Sequence, residues 1–98
     1  MVLQHENWTE MLLQWEDGRI ASMTCTGKET PFYTHLLTEE GTESIQVDSD
    51  FFAAFMDELI VFFETGEIPV SHEETIAIIA VREAGLKAIE NPGQWIEV

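Results

Sequence analysis

Apolar residues recur at helical spacing in the second half of the chain, after the polar segment 48–50. Phenylalanine and leucine repeat every three or four positions there, which predicts a first helix. The repeating residues are Phe51, Phe52, Phe55, Leu59, Phe62 and Phe63. All three residues of segment 48–50 are candidate N-caps, and Gly66 is placed to end the helix in the left-handed conformation. The acidic residues Asp50, Asp57 and Glu64 share one narrow edge, so the remainder of this helix is expected to be buried.

A second apolar run follows Ser71 and carries the clearest local signal in the chain. Ser71 and Glu74 have the spacing of a capping box, in which two side chains satisfy the free N–H groups at the start of a helix. The body of this helix, residues 75–89, is apolar nearly all round, so burial on more than one side is expected. Its broad face comprises Ala77, Ile78, Val81, Ala84, Gly85, Ala88 and Ile89. Residues 91–93, Asn-Pro-Gly, stop the helix, and residues 95–98 are expected to form a short final strand that pairs with the sheet.

Residues 9–26 have the pattern of a β-hairpin. Asp17-Gly18 supplies a two-residue turn with the positive φ angles that a tight reversal needs, and Glu16 and Arg19 would flank it as an ion pair. This register pairs Trp15 with Ile20, Leu13 with Ser22 and Met11 with Thr24 on one face. It pairs Gln14 with Ala21, Leu12 with Met23 and Glu10 with Cys25 on the other.

Both faces of this hairpin carry apolar groups, which differs from the clean alternation of a sheet with one solvated face. Two interpretations stand. Either a surface other than the chain's own helices covers the second face, or that face is semi-polar and exposed. The candidate interface residues on it are Leu12, Ala21, Met23 and Cys25.

A polar link at residues 27–31 leads to a second hairpin, whose strands are predicted at 32–37 and 44–47 around Glu39-Glu40-Gly41. The loop has two residues, or three with the glycine left-handed. The elements then follow in the order ββββααβ. We therefore predict an α+β fold in which residues 1–98 form one domain, an open antiparallel sheet of about five strands with two helices packed on one face.

Composition limits the kinds of partner that the chain can have. It has 98 residues, 45% of them apolar, and nineteen acidic against four basic residues give a formal charge of −15. Such a field repels phosphate backbones and argues against nucleic-acid binding, whereas it suits either solubility or docking on a basic partner. No apolar run reaches membrane-spanning length, and the single cysteine, Cys25, fits a reducing compartment. We therefore expect a cytoplasmic protein that does not bind membranes.

No motif assigns a catalytic, cofactor-binding or metal-ligating residue. The six glycines are isolated, which excludes a dinucleotide-binding or phosphate-binding loop. His72-Glu73 begins like a zinc-protease helix, but Ile76 stands where the second histidine is required. Cys25 has no neighbouring base to activate it and is expected to be a packed structural thiol. Arg82 falls on the apolar arc of the second helix, where it would extend its charged end to water, pair with a carboxylate, or anchor another domain.

The two helices and the segments around them resemble the C-terminal end of the Gfo/Idh/MocA oxidoreductases. The likeness rests on the aromatic run 51–63, the turn 64–71 (Glu-Thr-Gly-Glu-Ile-Pro-Val-Ser), the helix that follows from Glu74, and the closing segment 92–98 (Pro-Gly-Gln-Trp-Ile-Glu-Val). In that family an aromatic-rich helix ends in an FF-x-x-G-x-x-P turn, an alanine-rich helix follows, and a short strand closes an open antiparallel sheet. The resemblance covers about half of the chain.

The resemblance implies a substrate and oligomerisation domain fused behind a nicotinamide-binding Rossmann domain. Family members use NAD or NADP to oxidise or reduce sugars and polyols, and they associate through the exposed face of the C-terminal sheet. This chain lacks the family's Glu-Lys-Pro, its Asp-x-x-x-His and its nucleotide-binding glycines, and residues 38–41 (Thr-Glu-Glu-Gly) replace the usual G-T-x-G turn. We therefore expect the C-terminal portion of such an oxidoreductase, inactive alone, that binds no cofactor itself and forms a domain interface or a homo-oligomer through the sheet face. The alternative is a freestanding acidic protein-binding module.

Overall fold

The computed structural model describes residues 1–27 and 32–98. The elements in these residues are β1 (Val2–Gln4), β2 (Thr9–Gln14), β3 (Ile20–Cys25), β4 (Tyr33–Thr38), β5 (Gly41–Gln46), α1 (Phe51–Thr65) and α2 (His72–Glu90). They confirm the predicted α+β class with antiparallel strands. The chain divides into two compact units, the first comprising Met1–Thr30 with Val70–Val98 and the second Pro31–Pro69. The strands form two sheets, β1-β2-β3 and β4-β5, where a single open sheet was expected.

The first unit contains a strand that the sequence pattern did not indicate. β1 is only three residues long and pairs antiparallel with β2, so that Val2 lies opposite Met11. The α-amino group of Met1 donates to the carbonyl oxygen of Leu12 at 3.0 Å, and the N–H of Leu12 donates to the carbonyl oxygen of Met1 at 2.8 Å. The N-terminal residues are therefore part of the sheet.

The turn between β2 and β3 contains three residues, Glu16, Asp17 and Gly18, where two were predicted. The N–H of Trp15 donates to the carbonyl oxygen of Arg19 at 2.9 Å, and the N–H of Gly18 donates to the carbonyl oxygen of Trp15 at 3.0 Å. Gly18 has a φ of +91°, the left-handed conformation that a three-residue hairpin loop with a bulge requires. The glycine is thus used as predicted, but in a longer loop.

The extra turn residue shifts every cross-strand pair by one position, so the predicted register is wrong; Met11, for example, lies opposite Met23. Directly opposed residues share a face of the sheet. One face therefore carries Thr9, Met11, Leu13, Ala21, Met23 and Cys25, and the other carries Glu10, Leu12, Gln14, Ile20, Ser22 and Thr24. Leu12 lies on the opposite face from the other three candidate interface residues, and the four do not form one patch.

The longer turn also changes the ion pair. Arg19 was expected to pair with Glu16, but its Nε donates to Oδ2 of Asp17 at 2.8 Å. The backbone N–H of Arg19 donates to Oδ1 of the same carboxylate at 3.1 Å. This backbone hydrogen bond, assisted by the guanidinium, holds the pKa of Asp17 below its ordinary value of 3.8.

We expect the ionised form of Asp17 to stabilise the turn, and acid to remove that contribution. Because the folded-state pKa is depressed, the stabilisation is present above the pKa of the unfolded chain and is lost as pH falls through the lower folded-state pKa. An NMR titration of the side-chain carboxyl carbon should give a pKa below 3.8. Arg19→Gln should move that pKa only part of the way back, since the backbone donor remains, and Arg82→Gln should leave it unchanged. A titration at or above the ordinary value would contradict this turn geometry.

α2 is capped at both ends, and its N-cap is the one that the sequence predicts. The hydroxyl of Ser71 accepts a hydrogen bond from the N–H of Glu74 at 3.1 Å. At the C-terminal end, the side-chain amide of Asn91 donates to the carbonyl oxygen of Lys87 at 2.9 Å. These side chains satisfy backbone groups that have no partner inside the helix.

The core of the first unit is a narrow contact between α2 and the sheet at β1. Ala84 and Ala88 are the buried residues of α2, and Val2 on β1 is 2% exposed. Small side chains let the helix come close, since a Cβ added to Gly85 would lie 3.4 Å from Sδ of Met11. The prediction that α2 is buried on more than one side is wrong, because only one stripe of the helix is covered.

Residues 91–98 form no strand, so the predicted final strand is wrong. The N–H of Gly93 instead donates to the carbonyl oxygen of Val2 at 2.9 Å, which brings this segment to the outer edge of β1. Ile96 is half-buried, whereas Trp95 is 56% exposed. The segment therefore meets the edge of β1 through this backbone hydrogen bond, and Trp95, Ile96 and Val98 line a small pocket together with residues of β1 and β2.

In the second unit, β4 and β5 form a hairpin with a two-residue loop, Glu39 and Glu40, which decides between the two predicted loop lengths. Thr38 lies opposite Gly41, whose φ is +144°. The hydroxyl of Thr38 donates to the carbonyl oxygen of Gly41 at 3.2 Å and accepts from the N–H of Glu40 at 3.3 Å. Of the predicted link before this hairpin, residues 28–31 lie outside the described part of the chain.

α1 begins and ends as the sequence predicts but is not buried. Asp50 is the N-cap, and its carboxylate accepts from the N–H of Ala53 at 3.0 Å. Gly66 ends the helix with a φ of +74°, and its N–H donates to the carbonyl oxygen of Phe62 at 2.8 Å. None of the residues of α1 is buried, and among them only Leu59 is half-buried. The expectation of a buried helix with one polar edge is therefore wrong.

Candidate interaction surfaces

An apolar groove lies between α2 and the face of β3 that is turned toward the helix. α2 packs at β1, so the β3 side of the same face stays uncovered. The groove has a volume of about 380 Å³. It is lined by Val2, Thr9, Met11, Met23 and Cys25 of the sheet and by Ile78, Val81, Arg82, Gly85, Leu86 and Ile89 of α2. All of these residues belong to the first unit.

Charge is sparse in this groove. In a chain with nineteen acidic residues, no carboxylate is found among the described residues that line it. Among the described lining residues the charged one is Arg82, whose Nη1 donates to Oε1 of Glu83 at 2.9 Å. Arg82 therefore pairs with a carboxylate, as one of the predictions stated. Because both side chains are exposed, this ion pair contributes little to the stability of the fold. Attachment of another domain through Arg82 stays a prediction.

The structure separates the four candidate interface residues. Met23, 49% exposed, and Cys25 line the groove, and Ala21 lies on the same face of β3. Leu12 is half-buried on the opposite face. Cys25 is exposed, so the expectation of a packed structural thiol is wrong. An interface role for these residues stays a prediction.

Sequence reasoning missed the residues that complete the groove. Met11 was assigned to the opposite face from Met23, and the two lie directly across from each other. The signal was present in the turn, because Glu16-Asp17-Gly18 also fits a three-residue loop with glycine in the left-handed position. That loop would have placed Met11 beside Met23 and Cys25.

The second unit carries a broad apolar surface on α1. Four of its phenylalanines, Phe51, Phe52, Phe55 and Phe63, are more than half exposed, Phe63 to 77%. No side chain in residues 32–69 is buried. Apolar patches of this kind are unusual on a soluble monomer and mark contacts with another surface. With no buried side chain among residues 32–69, this unit gains little of the apolar burial that drives folding.

Polar groups do not assemble into a reaction centre in the described residues. Nδ1 of His35 lies 2.8 Å from Oγ of Ser44, but this pair is exposed. The ring of His5 stacks on Trp8 with the centroids 3.6 Å apart, and His72 lies in the first turn of α2. Residues 1–27 and 32–98 hold no group of three or more histidine, cysteine or acidic side chains that could bind a metal ion. In the same residues, neither helix combines the length and apolar character needed to cross a membrane.

Comparison with family models, curated proteins and solved structures finds no match to this chain. Its function is therefore inferred from two kinds of observation. One is the set of uncovered apolar surfaces, and the other is the sequence motif of the two helices.

Proposed function

We propose that this chain is the C-terminal portion of an NAD(P)-dependent oxidoreductase of the Gfo/Idh/MocA type that acts on sugars or polyols. In this proposal the chain is inactive alone and supplies a domain interface and a homo-oligomer interface. The preceding Rossmann domain of the parent protein binds NAD or NADP, and no residue of this chain is assigned to the cofactor. The observation that carries the proposal is the second unit, in which no described side chain is buried.

The energetics of α1 favour a role in which another polypeptide covers it. Fully covering one phenylalanine contributes roughly 1.5–3 kcal/mol. Four phenylalanines of α1 remain more than half exposed, so a large part of this contribution is still available. Folded domains are stable by only about 5–15 kcal/mol, so a covering surface would change the stability of this unit decisively.

The motif behind the resemblance keeps its expected local geometry. The aromatic helix ends at Gly66 in the left-handed conformation, and α2 starts after the Ser71 cap. The short closing strand of the family is absent from residues 95–98. The helix pair therefore supports the proposal, and the closing segment does not.

Hydride transfer tests the first part of the proposal. The chain alone should give no oxidation or reduction of sugars or polyols with NAD(P), followed by absorbance at the nicotinamide band. The gene region that precedes the codon of Val2 should encode a nicotinamide-binding segment in the same reading frame. Turnover by the isolated chain, or an upstream region with no such segment, would contradict the proposal.

A freestanding acidic module that binds a basic partner is the second candidate, favoured by the net charge of −15. The salt dependence of association distinguishes the two candidates. Salt screens the repulsion between two acidic copies of the chain, and it also screens the attraction between the acidic chain and a basic partner. Homo-oligomerisation should strengthen between about 0.05 and 0.5 M salt in sedimentation equilibrium. Binding to a basic partner should weaken over the same range. A chain that stays monomeric at every salt and protein concentration would contradict the homo-oligomer.

A further inference from the structure

The three-stranded sheet has two edges that differ in how they are protected. β1 forms one edge; it is three residues long, and Gly93 donates to its outer carbonyl at Val2. β3 forms the other edge; it is six residues long, and all six residues are exposed. Unpaired strand edges invite pairing with another strand, and proteins usually protect them with charge, proline or short length. β3 contains no charged residue and no proline, in a chain of which 23% is charged.

The hydrogen-bond pattern shows which backbone groups of β3 face outward. Leu12 exchanges backbone hydrogen bonds with Met1, so the even-numbered residues of β2 point their polar groups toward β1. The odd-numbered residues of β2, Met11 among them, therefore pair with their opposed residues on β3, such as Met23. The hydrogen bond from the N–H of Trp15 to the carbonyl oxygen of Arg19 at the turn also joins two odd-numbered residues, which agrees with this pattern. The N–H and C=O groups that point to the open edge then belong to Ile20, Ser22 and Thr24.

We propose that the β3 edge pairs antiparallel with the β3 edge of a second copy of this chain. The inference rests on the homo-oligomer of the proposed function and names its surface, which is the edge of the sheet and not its face. Both strands are uncharged, so no like charges meet across the junction although each copy carries −15. Since the β1 edge is short and engaged by Gly93, pairing ends at two copies and does not propagate into a fibre.

The alternation of outward-facing backbone groups along β3 also specifies the register between the two β3 strands. Outward-facing residues must pair with outward-facing residues, and the register that engages all three of them is centred on Ser22. Ser22 then lies opposite Ser22 of the second copy, and Ile20 lies opposite Thr24 of the second copy. Opposed residues of this kind have Cα atoms about 5.5 Å apart, within the range that a disulfide can span.

Proline at position 22 provides the first test. Ser22→Pro removes an outward N–H without breaking the ladder to β2, and proline is tolerated on an edge strand in that orientation. Because Ser22 lies on the two-fold axis, the substitution removes one intermolecular hydrogen bond from each of the two copies. The dissociation constant of the dimer should therefore rise roughly ten- to a hundredfold in sedimentation equilibrium. Ser22→Val is the matched control, because it keeps the N–H, and its dimer should be as tight as that of the unsubstituted chain. Circular dichroism of both variants reports whether the fold is retained.

Cysteine cross-linking tests the register independently of stability. In a Cys25→Ser background, Ser22→Cys should give a covalent dimer under mild oxidation. Leu12→Cys should not, because Leu12 lies opposite Ser22 on β2, on the same face but one strand farther from the axis. Cross-linking at both positions would indicate face-to-face association and would overturn the edge proposal.

The outcomes also separate this proposal from the proposed function. A dimer that neither Ser22→Pro weakens nor Ser22→Cys cross-links would refute the β3 edge while leaving the homo-oligomer in place. A chain that is monomeric at every concentration would overturn the edge pairing and the homo-oligomer together. Neither result bears on the upstream nicotinamide-binding segment, which is tested by sequence.

Discussion

Ala88→Asp is expected to unfold the first unit. Ala88 is 2% exposed at the contact between α2 and β1, beside Ala84 and Val2. A carboxylate placed there would be removed from water without a partner, which costs roughly 3 kcal/mol or more. This loss is a large fraction of the stability of a small domain. Urea unfolding followed by circular dichroism measures it.

Ala77→Asp is the matched control for this change. It places the same side chain on the same helix at an exposed position, so only the intrinsic helix preference and solvent-screened charge effects remain. Its effect should stay within about 1 kcal/mol. Equal effects at the two positions would mean that the Ala84 and Ala88 stripe is not the contact that stabilises the unit.

Local signals predicted the helices well. The predicted Gly66 terminus of α1 and Ser71 cap of α2 are confirmed, and Asp50 is the one of the three N-cap candidates in segment 48–50 that caps α1. Each of these depends on residues within one turn of the helix end. Capping depends on which side chain can reach an unsatisfied N–H and on which residue tolerates a positive φ. Both conditions are set by nearby sequence, which is why they can be recognised without the fold.

Register was harder to predict, because it depends on a choice between two turns that one sequence can form. Asp17-Gly18 fits a two-residue turn and Glu16-Asp17-Gly18 fits a three-residue turn, and both use the glycine with a positive φ. A difference of one residue moves every side chain relative to its partner across the strands. The candidate patch of Leu12 with Met23 was therefore split between two faces, and the groove was not foreseen.

Whether the first and last residues of the chain form strands depends on which strands they can pair with, and the local sequence pattern does not encode this. Residues 95–98 look like a strand, yet they form none, and the backbone hydrogen bond that joins the closing segment 91–98 to β1 runs from Gly93 to Val2. The three residues of β1 are too few to show an alternating pattern, and their place in the sheet comes from partners five to nine residues farther along the chain. The groove could not be predicted for the same reason. It depends on where α2 lies across the sheet, and the apolar content of α2 does not determine that position.

The double substitution Phe52→Gln with Phe63→Gln is expected to have little effect on the stability of the isolated chain and a large effect on the stability of a longer protein that contains it. Both side chains are more than two thirds exposed, so the free energy of unfolding of the isolated chain should change by less than about 1 kcal/mol. In a longer protein whose preceding domain covers α1, losing two covered phenylalanines should cost roughly 3–6 kcal/mol. Parallel urea unfolding of the two proteins measures this difference.

Leucine at the same two positions is the control for polarity. Phe52→Leu with Phe63→Leu keeps an apolar surface on α1, so the longer protein should lose much less stability than it does with glutamine. A large destabilisation of the isolated chain by the glutamine pair would mean that α1 is covered within the chain itself, and the exposed helix would then no longer support a domain interface. An equally small effect in both proteins would mean that no polypeptide covers α1. The interface proposal therefore depends on a substitution that is harmless to the chain alone and severe in its parent.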